Sequence, residues 1–138
     1  MTRAARYAYA VLACAYVLGL VYQVFVAGLG LFASSSNWET HISLGWMLHL
    51  VPILILAAAA LSRTGRRHWQ WALALALVVF VVPLFALMRD SNPQIAALHP
   101  VSAVVAFVLS ITVARNSLAA VRMADADAEP ASVSEAAA

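Results

Sequence analysis

The chain has 138 residues, of which 64% are hydrophobic and 10% are charged, and its formal net charge at pH 7 is +2. A water-soluble domain is usually about half apolar and about a quarter charged. This composition excludes such a domain, because the chain cannot cover its own apolar surface, and it gives no sign of a nucleic-acid-binding patch. We therefore predict an all-α, polytopic membrane protein whose main partner is the lipid bilayer.

Four apolar segments predict four transmembrane helices, at about 6–32, 37–62, 68–88 and 93–117. The first is long enough to span a bilayer and has no convincing cleavage site, so we interpret it as a helix and not as a signal peptide. Residues 1–122 then form one up-down four-helix transmembrane domain. The acidic, Ala-rich residues 123–138 are expected to be a disordered cytoplasmic tail.

Local signals mark two of the helix starts. Ser36 and Glu39 have the spacing of a capping box before helix 2, in which each side chain bonds the other's exposed amide. Asn92 is suited to cap helix 4, and Pro93 is suited to its first position. Helix 3 has almost no polar side chain within the membrane and is expected to kink at Pro83, so we assign it to lipid contact and scaffolding.

The arginines predict how the helices are oriented. With four spans, Arg89 lies at one end of the bundle, and the other arginines lie at the opposite end: Arg3, Arg6, Arg63, Arg66, Arg67, Arg115 and Arg122. Cytoplasmic loops carry an excess of basic residues, so both termini are expected in the cytoplasm, with the protein in the cell (inner or plasma) membrane. Trp38 is expected as an anchor at the outer interface, and Trp69 and Trp71 at the inner one.

Polar side chains within a membrane span are costly, so those of helices 1, 2 and 4 need a reason. Helix 1 places Gln23 on a face of small residues. Helices 2 and 4 each have a face of small and polar groups, formed by His41, Gly45 and His49 and by His99, Ser102 and Ala103. Faces of small residues let another helix or a flat cofactor approach the backbone closely.

The depths of the histidines predict a cofactor. At 1.5 Å per residue, His41 lies about 7.5 Å below its cap and His99 about 10.5 Å, whereas His49 lies about 19.5 Å deep. Two imidazoles at one depth on different helices are suited to bind the iron of heme b from opposite faces. We predict His41 and His99 as axial ligands, with His49 as the alternative. The predicted cofactor contacts are Gly45, Ser102, Ala103 and Gln23, with Arg89 placed to pair with a heme propionate.

Two other functions stay open. The histidines could be structural hydrogen-bond donors in a non-catalytic membrane subunit or assembly factor. Together with Glu39, they could instead bind a transition metal. No nucleophile stands beside a histidine base, so we expect no hydrolase, and an enzymatic role would be that of a membrane oxidoreductase or electron carrier. The candidate partners are a second copy of the chain and a membrane redox partner or quinone.

Three segments carry a resemblance to known proteins: Gln23-x-x-x-Ala27-Gly28-x-x-x-Phe32, His41-x-x-x-Gly45-x-x-x-His49 and Leu98-His99-Pro100. As a set they resemble an uncharacterised family of small four-helix bacterial membrane proteins, over about residues 10–115. More loosely, the layout resembles one half of heme A synthase and the four-helix bundles of b-type cytochromes. That resemblance implies one heme between helices 2 and 4, with His41 or His49 and His99 as ligands. The chain has a single four-helix unit and lacks the Glu-x-x-His element of that enzyme, so the resemblance implies heme binding more than heme modification.

Overall fold

The computed structural model describes residues 2–126, and these residues form helices joined by short turns. The helices are α1 (Thr2–Phe32), α2 (Asn37–Leu61), α3 (Arg66–Leu87), α4 (Pro93–Ala96) and α5 (Leu98–Ala126). Four spans are long and apolar enough to cross a membrane: α1, α2, α3, and α4 together with α5. The predicted all-α fold with four transmembrane helices is confirmed.

The long helices form a ring in chain order. α1 packs against α2 and α5, and α3 also packs against α2 and α5. α2 and α5 therefore occupy opposite corners of the bundle, as do α1 and α3. A side chain of α2 can meet a side chain of α5 only through the middle of the bundle.

The tightly packed core lies in the half of the bundle that contains the start of α1 and the end of α5. Tyr9 and Tyr16 fill this core from α1, and Ile55 and Leu75 meet them from α2 and α3, each at most 2% exposed. Alanines of all four spans bring the backbones close together around these larger side chains. Large apolar side chains such as Phe80 lie exposed on the outside, as expected where lipid is the solvent.

The fourth span differs from the single continuous helix that was predicted, because it is interrupted at Ala97 between α4 and α5. Pro100 has no amide hydrogen, so it cannot donate the hydrogen bond that would extend the helix from the carbonyl of Ala96. The interruption lies directly before His99.

The other end of α5 also differs from the prediction. The disordered tail was expected from residue 123, but the helix continues to Ala126. Asp125 accepts hydrogen bonds from Arg3 at 3.1 Å and from the Tyr7 hydroxyl at 2.6 Å. These exposed contacts join the two ends of the chain's helical part, and solvent screening makes them weak. The remainder of the predicted tail, 127–138, lies outside the described residues.

The two predicted caps have opposite outcomes. The Asn92 side chain accepts a hydrogen bond from the backbone amide of Ile95 at 3.2 Å, so this cap is confirmed. The capping box at Ser36 is wrong: no side-chain cap bond forms, and the Ser36 hydroxyl bonds that of Ser34 at 2.9 Å. Ser36 already has helical backbone angles, whereas an N-cap side chain needs an extended backbone to reach the exposed amides.

We expect Asn92→Ala to lower the free energy of unfolding by about 1 kcal/mol, because it removes the acceptor for an otherwise unpaired helix amide. Ser36→Ala is the matched control and should change stability by less than about 0.5 kcal/mol, since it removes no cap bond. Denaturant titration of both variants in mixed micelles measures the difference. Equal losses in the two variants would contradict the assignment of the caps.

Candidate functional site

The structure brings two of the predicted ligands together. The rings of His41 on α2 and His99 on α5 have centroids 6.4 Å apart, and their planes are inclined by 76°. Both side chains are half-buried. Since α2 and α5 occupy opposite corners of the bundle, the two rings approach each other edge-on across its middle, beyond the packed core.

Each of the two rings is held by a backbone carbonyl of a neighbouring helix. His41 Nδ1 lies 3.1 Å from the carbonyl oxygen of Gln23 on α1. His99 Nδ1 lies 3.0 Å from the carbonyl oxygen of Val82 on α3. A carbonyl oxygen can only accept a hydrogen bond, so in each neutral ring Nδ1 carries the proton and donates it. Nε2 of each ring then keeps its lone pair, which is the arrangement that a carbonyl bonded to Nδ1 imposes on a metal-binding histidine.

The role of α3 differs from the prediction. Helix 3 was expected to provide only lipid contact and scaffolding, but its Val82 carbonyl positions the His99 ring. It also buries Ala72 and Leu75 completely in the core. All four spans thus contribute to the site: α2 and α5 provide imidazoles, and α1 and α3 provide the carbonyls that hold them.

Gln23 makes a second bond between α1 and α2. Its Nε2 donates to the carbonyl oxygen of His41 at 2.7 Å, so the two residues bond each other in both directions. The amide passes close to Gly45, where an added Cβ would lie 2.9 Å from Nε2. A side chain at position 45 would push the Gln23 amide away from the His41 carbonyl, and both predicted residues lie at the site as part of the scaffold around His41.

The sequence interpretation missed a contact of Trp38. Its ring meets the His41 ring edge-on, with centroids 5.5 Å apart and planes inclined by 84°. The indole also lies against Gly30, where an added Cβ would be 2.8 Å from the ring. Trp38 was predicted as an interfacial anchor, yet it is half-buried and also supports His41. The three-residue spacing between Trp38 and His41, which places both on one helix face, was the available signal.

His49 lies away from this pair. Its ring contacts Trp46 at a centroid distance of 5.8 Å and Phe80 of α3 at 5.7 Å. Its surroundings are aromatic, and the structure does not pair it with His99. The His49 ring therefore packs beside Phe80 of α3, apart from the His41–His99 pair.

The remaining predicted residues lie near the pair or apart from it. The Ser102 hydroxyl donates to the carbonyl oxygen of His99 at 2.9 Å, and Ala103 is half-buried on the same helix. Arg89 is exposed and pairs with its neighbour Asp90 at 3.4 Å. Glu39 is exposed at the start of α2.

The separation of the two rings is compatible with a heme iron held between them. Two imidazoles that bind one metal ion from opposite sides through bonds of about 2 Å have ring centroids about 6 Å apart. The observed separation is 6.4 Å. Within residues 2–126, no three His, Cys, Asp or Glu side chains come together in a group that could hold a metal ion by themselves. A heme iron needs only two ligands from the protein, since the macrocycle provides the other four.

Fold and site define a four-span membrane protein with a pair of facing histidines. Residues 23–88 match DUF6220, a family of unknown function. This match supports the resemblance to an uncharacterised family and covers Gln23, His41, Gly45 and α3, but it ends before His99. Comparisons with curated proteins and with solved structures give no match.

Proposed function

We propose that this protein binds heme b within the membrane through Nε2 of His41 and Nε2 of His99. The observation that carries the proposal is the facing pair itself, with ring centroids 6.4 Å apart and each Nδ1 bonded to a helix carbonyl. The bound group would supply one-electron chemistry at its iron. The site offers two imidazole ligands and no catalytic base or nucleophile beside them. It is therefore suited to electron transfer or to heme handling.

The chain's own residues would orient the ligands and exclude water. The carbonyl groups of Gln23 and Val82 fix the direction of each Nε2 and remove the freedom of the rings to rotate. The Trp38 indole covers His41 on one side. Arg89 is exposed and its ion pair with Asp90 is easily exchanged, so its guanidinium is available for a propionate. A transition-metal site receives less support, because two imidazoles are fewer than the three or more ligands such sites use.

The proposal includes an orientation. The arginine-rich end would face the cytoplasm, with both termini on that side of the cell membrane. The histidine pair would then lie in the outer half of the bilayer and exchange electrons with a membrane redox partner or a quinone. A second copy of the chain is a further candidate partner.

The second candidate function is a structural one, and it is favoured by the same hydrogen bonds. His41 joins α2 to α1, and His99 joins α5 to α3, through bonds that need no cofactor. The protein would then be a non-catalytic membrane subunit or assembly factor, and each histidine bond would contribute about 1 kcal/mol to stability.

An absorption spectrum separates the two functions. We expect protein purified from heme-replete cells to show a Soret band and to change its spectrum on addition of dithionite. Protein from heme-depleted cells should take up hemin at one equivalent per chain. A colourless preparation that takes up no hemin would overturn the proposal and leave the structural function.

A further inference from the structure

The turn between α2 and α3 forms a pocket that the histidine site does not use. It is an open cavity of about 430 Å³ at the end of the bundle that carries most of the arginines. Its polar side is formed by Arg63, Thr64, Gly65 and Arg66, and its apolar side includes Ala60 and Trp69. The pocket therefore joins a positively charged end to a wall that a hydrocarbon chain can contact.

Within residues 2–126, the positive charge of this pocket is not neutralised by an acidic side chain. Among residues 2–126, no acidic side chain forms a salt bridge with Arg63 or Arg66. The first turn of α3 has no acidic residue, and no side chain caps it. The positive end of the α3 dipole adds to the two guanidinium groups at the same place. The ligand that this field favours is an anion with several acceptor oxygens, such as a phosphate group.

The apolar wall indicates which phosphate compound fits. Ala60 and Trp69 are exposed on membrane-spanning helices, so they lie beside the lipid at the edge of the bilayer. Tryptophan is enriched at this level because its ring is amphipathic. A free phosphate ion would use only the charged end of the pocket, whereas a phospholipid would use both sides.

We propose that this pocket binds the phosphate head group of an anionic phospholipid, with an acyl chain along Ala60 and Trp69. Basic pockets between transmembrane helices on the cytoplasmic side are suited to such head groups. Binding would fix the arginine-rich end of α2 and α3 at the membrane surface. The proposal does not depend on what the histidine pair binds.

The test uses the full chain purified in detergent and native mass spectrometry with added phosphatidylglycerol or phosphatidylcholine. We expect one phosphatidylglycerol to bind in preference to phosphatidylcholine. Arg63→Gln and Arg66→Gln should each weaken that binding about fivefold, the effect of one basic residue at an anionic lipid. Arg67→Gln is the matched control, because Arg67 lies in the same turn but does not line the pocket. Its affinity should equal that of the wild type.

Three results would overturn the proposal. An equal loss in Arg67→Gln would mean that diffuse surface charge attracts the lipid. Equal binding of phosphatidylglycerol and phosphatidylcholine would mean that the pocket does not select lipids by their net negative charge. Displacement of the lipid by millimolar inorganic phosphate would make a free phosphate the occupant. Arg63 has a left-handed backbone, with φ of +50°, so a substitution there could impair folding. Arg66 lies in the α3 helix, and Arg66→Gln therefore still tests the pocket if the Arg63 variant folds poorly.

Discussion

His41→Ala and His99→Ala are each expected to abolish heme binding, whereas His49→Ala should retain it with at most a shifted spectrum or potential. This result follows from the proposed function, since each imidazole would provide one of the protein's two bonds to the iron, and no other described histidine is paired with either of them. His49 packs against Trp46 and Phe80 instead. It is therefore the matched control for removing an imidazole from a transmembrane helix.

Hemin titration of the purified variants, followed at the Soret band, measures this effect. His41→Gln and His99→Gln distinguish lost ligation from lost folding, because the amide can still donate a hydrogen bond but is a poor iron ligand. We expect both Gln variants to fold and to lose the six-coordinate spectrum. Undiminished hemin affinity in His99→Ala would show that the pair is not the ligand set. An equal loss in His49→Ala would point to a general folding defect.

Gly30→Ala is expected to lower the free energy of unfolding by about 1–3 kcal/mol, the usual cost of an overpacked contact. The added methyl group would lie 2.8 Å from the Trp38 ring, which is rigid and close to its own backbone. Relieving that clash requires the indole to move, and the indole supports His41 at 5.5 Å. The variant should therefore also alter the surroundings of the histidine pair.

Gly28→Ala on the same helix provides the control for Gly30→Ala. An added Cβ at Gly28 has no neighbour within 4 Å. Alanine is a better helix former than glycine by about 1 kcal/mol, so Gly28→Ala should be neutral or stabilising. Unfolding in mixed micelles, followed by tryptophan fluorescence and circular dichroism, compares the two variants. Equal stability of the two would contradict the close packing of Trp38 on α1.

The similar depth of His41 and His99 in the membrane could be predicted from the sequence, because the rise per residue of a helix is fixed. Counting from Asn92 and from the start of helix 2 placed His99 and His41 at nearly one level, and the structure puts their rings 6.4 Å apart. The heme itself stays a prediction, as does the orientation in the membrane.

The sequence by itself determined the class of protein, the number of spans and the Asn92 cap, because hydrophobic length and capping chemistry are local properties. Only the tertiary structure decided that Ser36 forms no cap bond and that Val82 holds the His99 ring. A backbone carbonyl is present at every residue and leaves no signature in the sequence, so its use depends on which helix packs beside it. The aromatic contacts of His49 were likewise decided by packing. The rotation of α2 about its own axis determines which neighbours His49 meets, and that rotation is set by the adjacent helices.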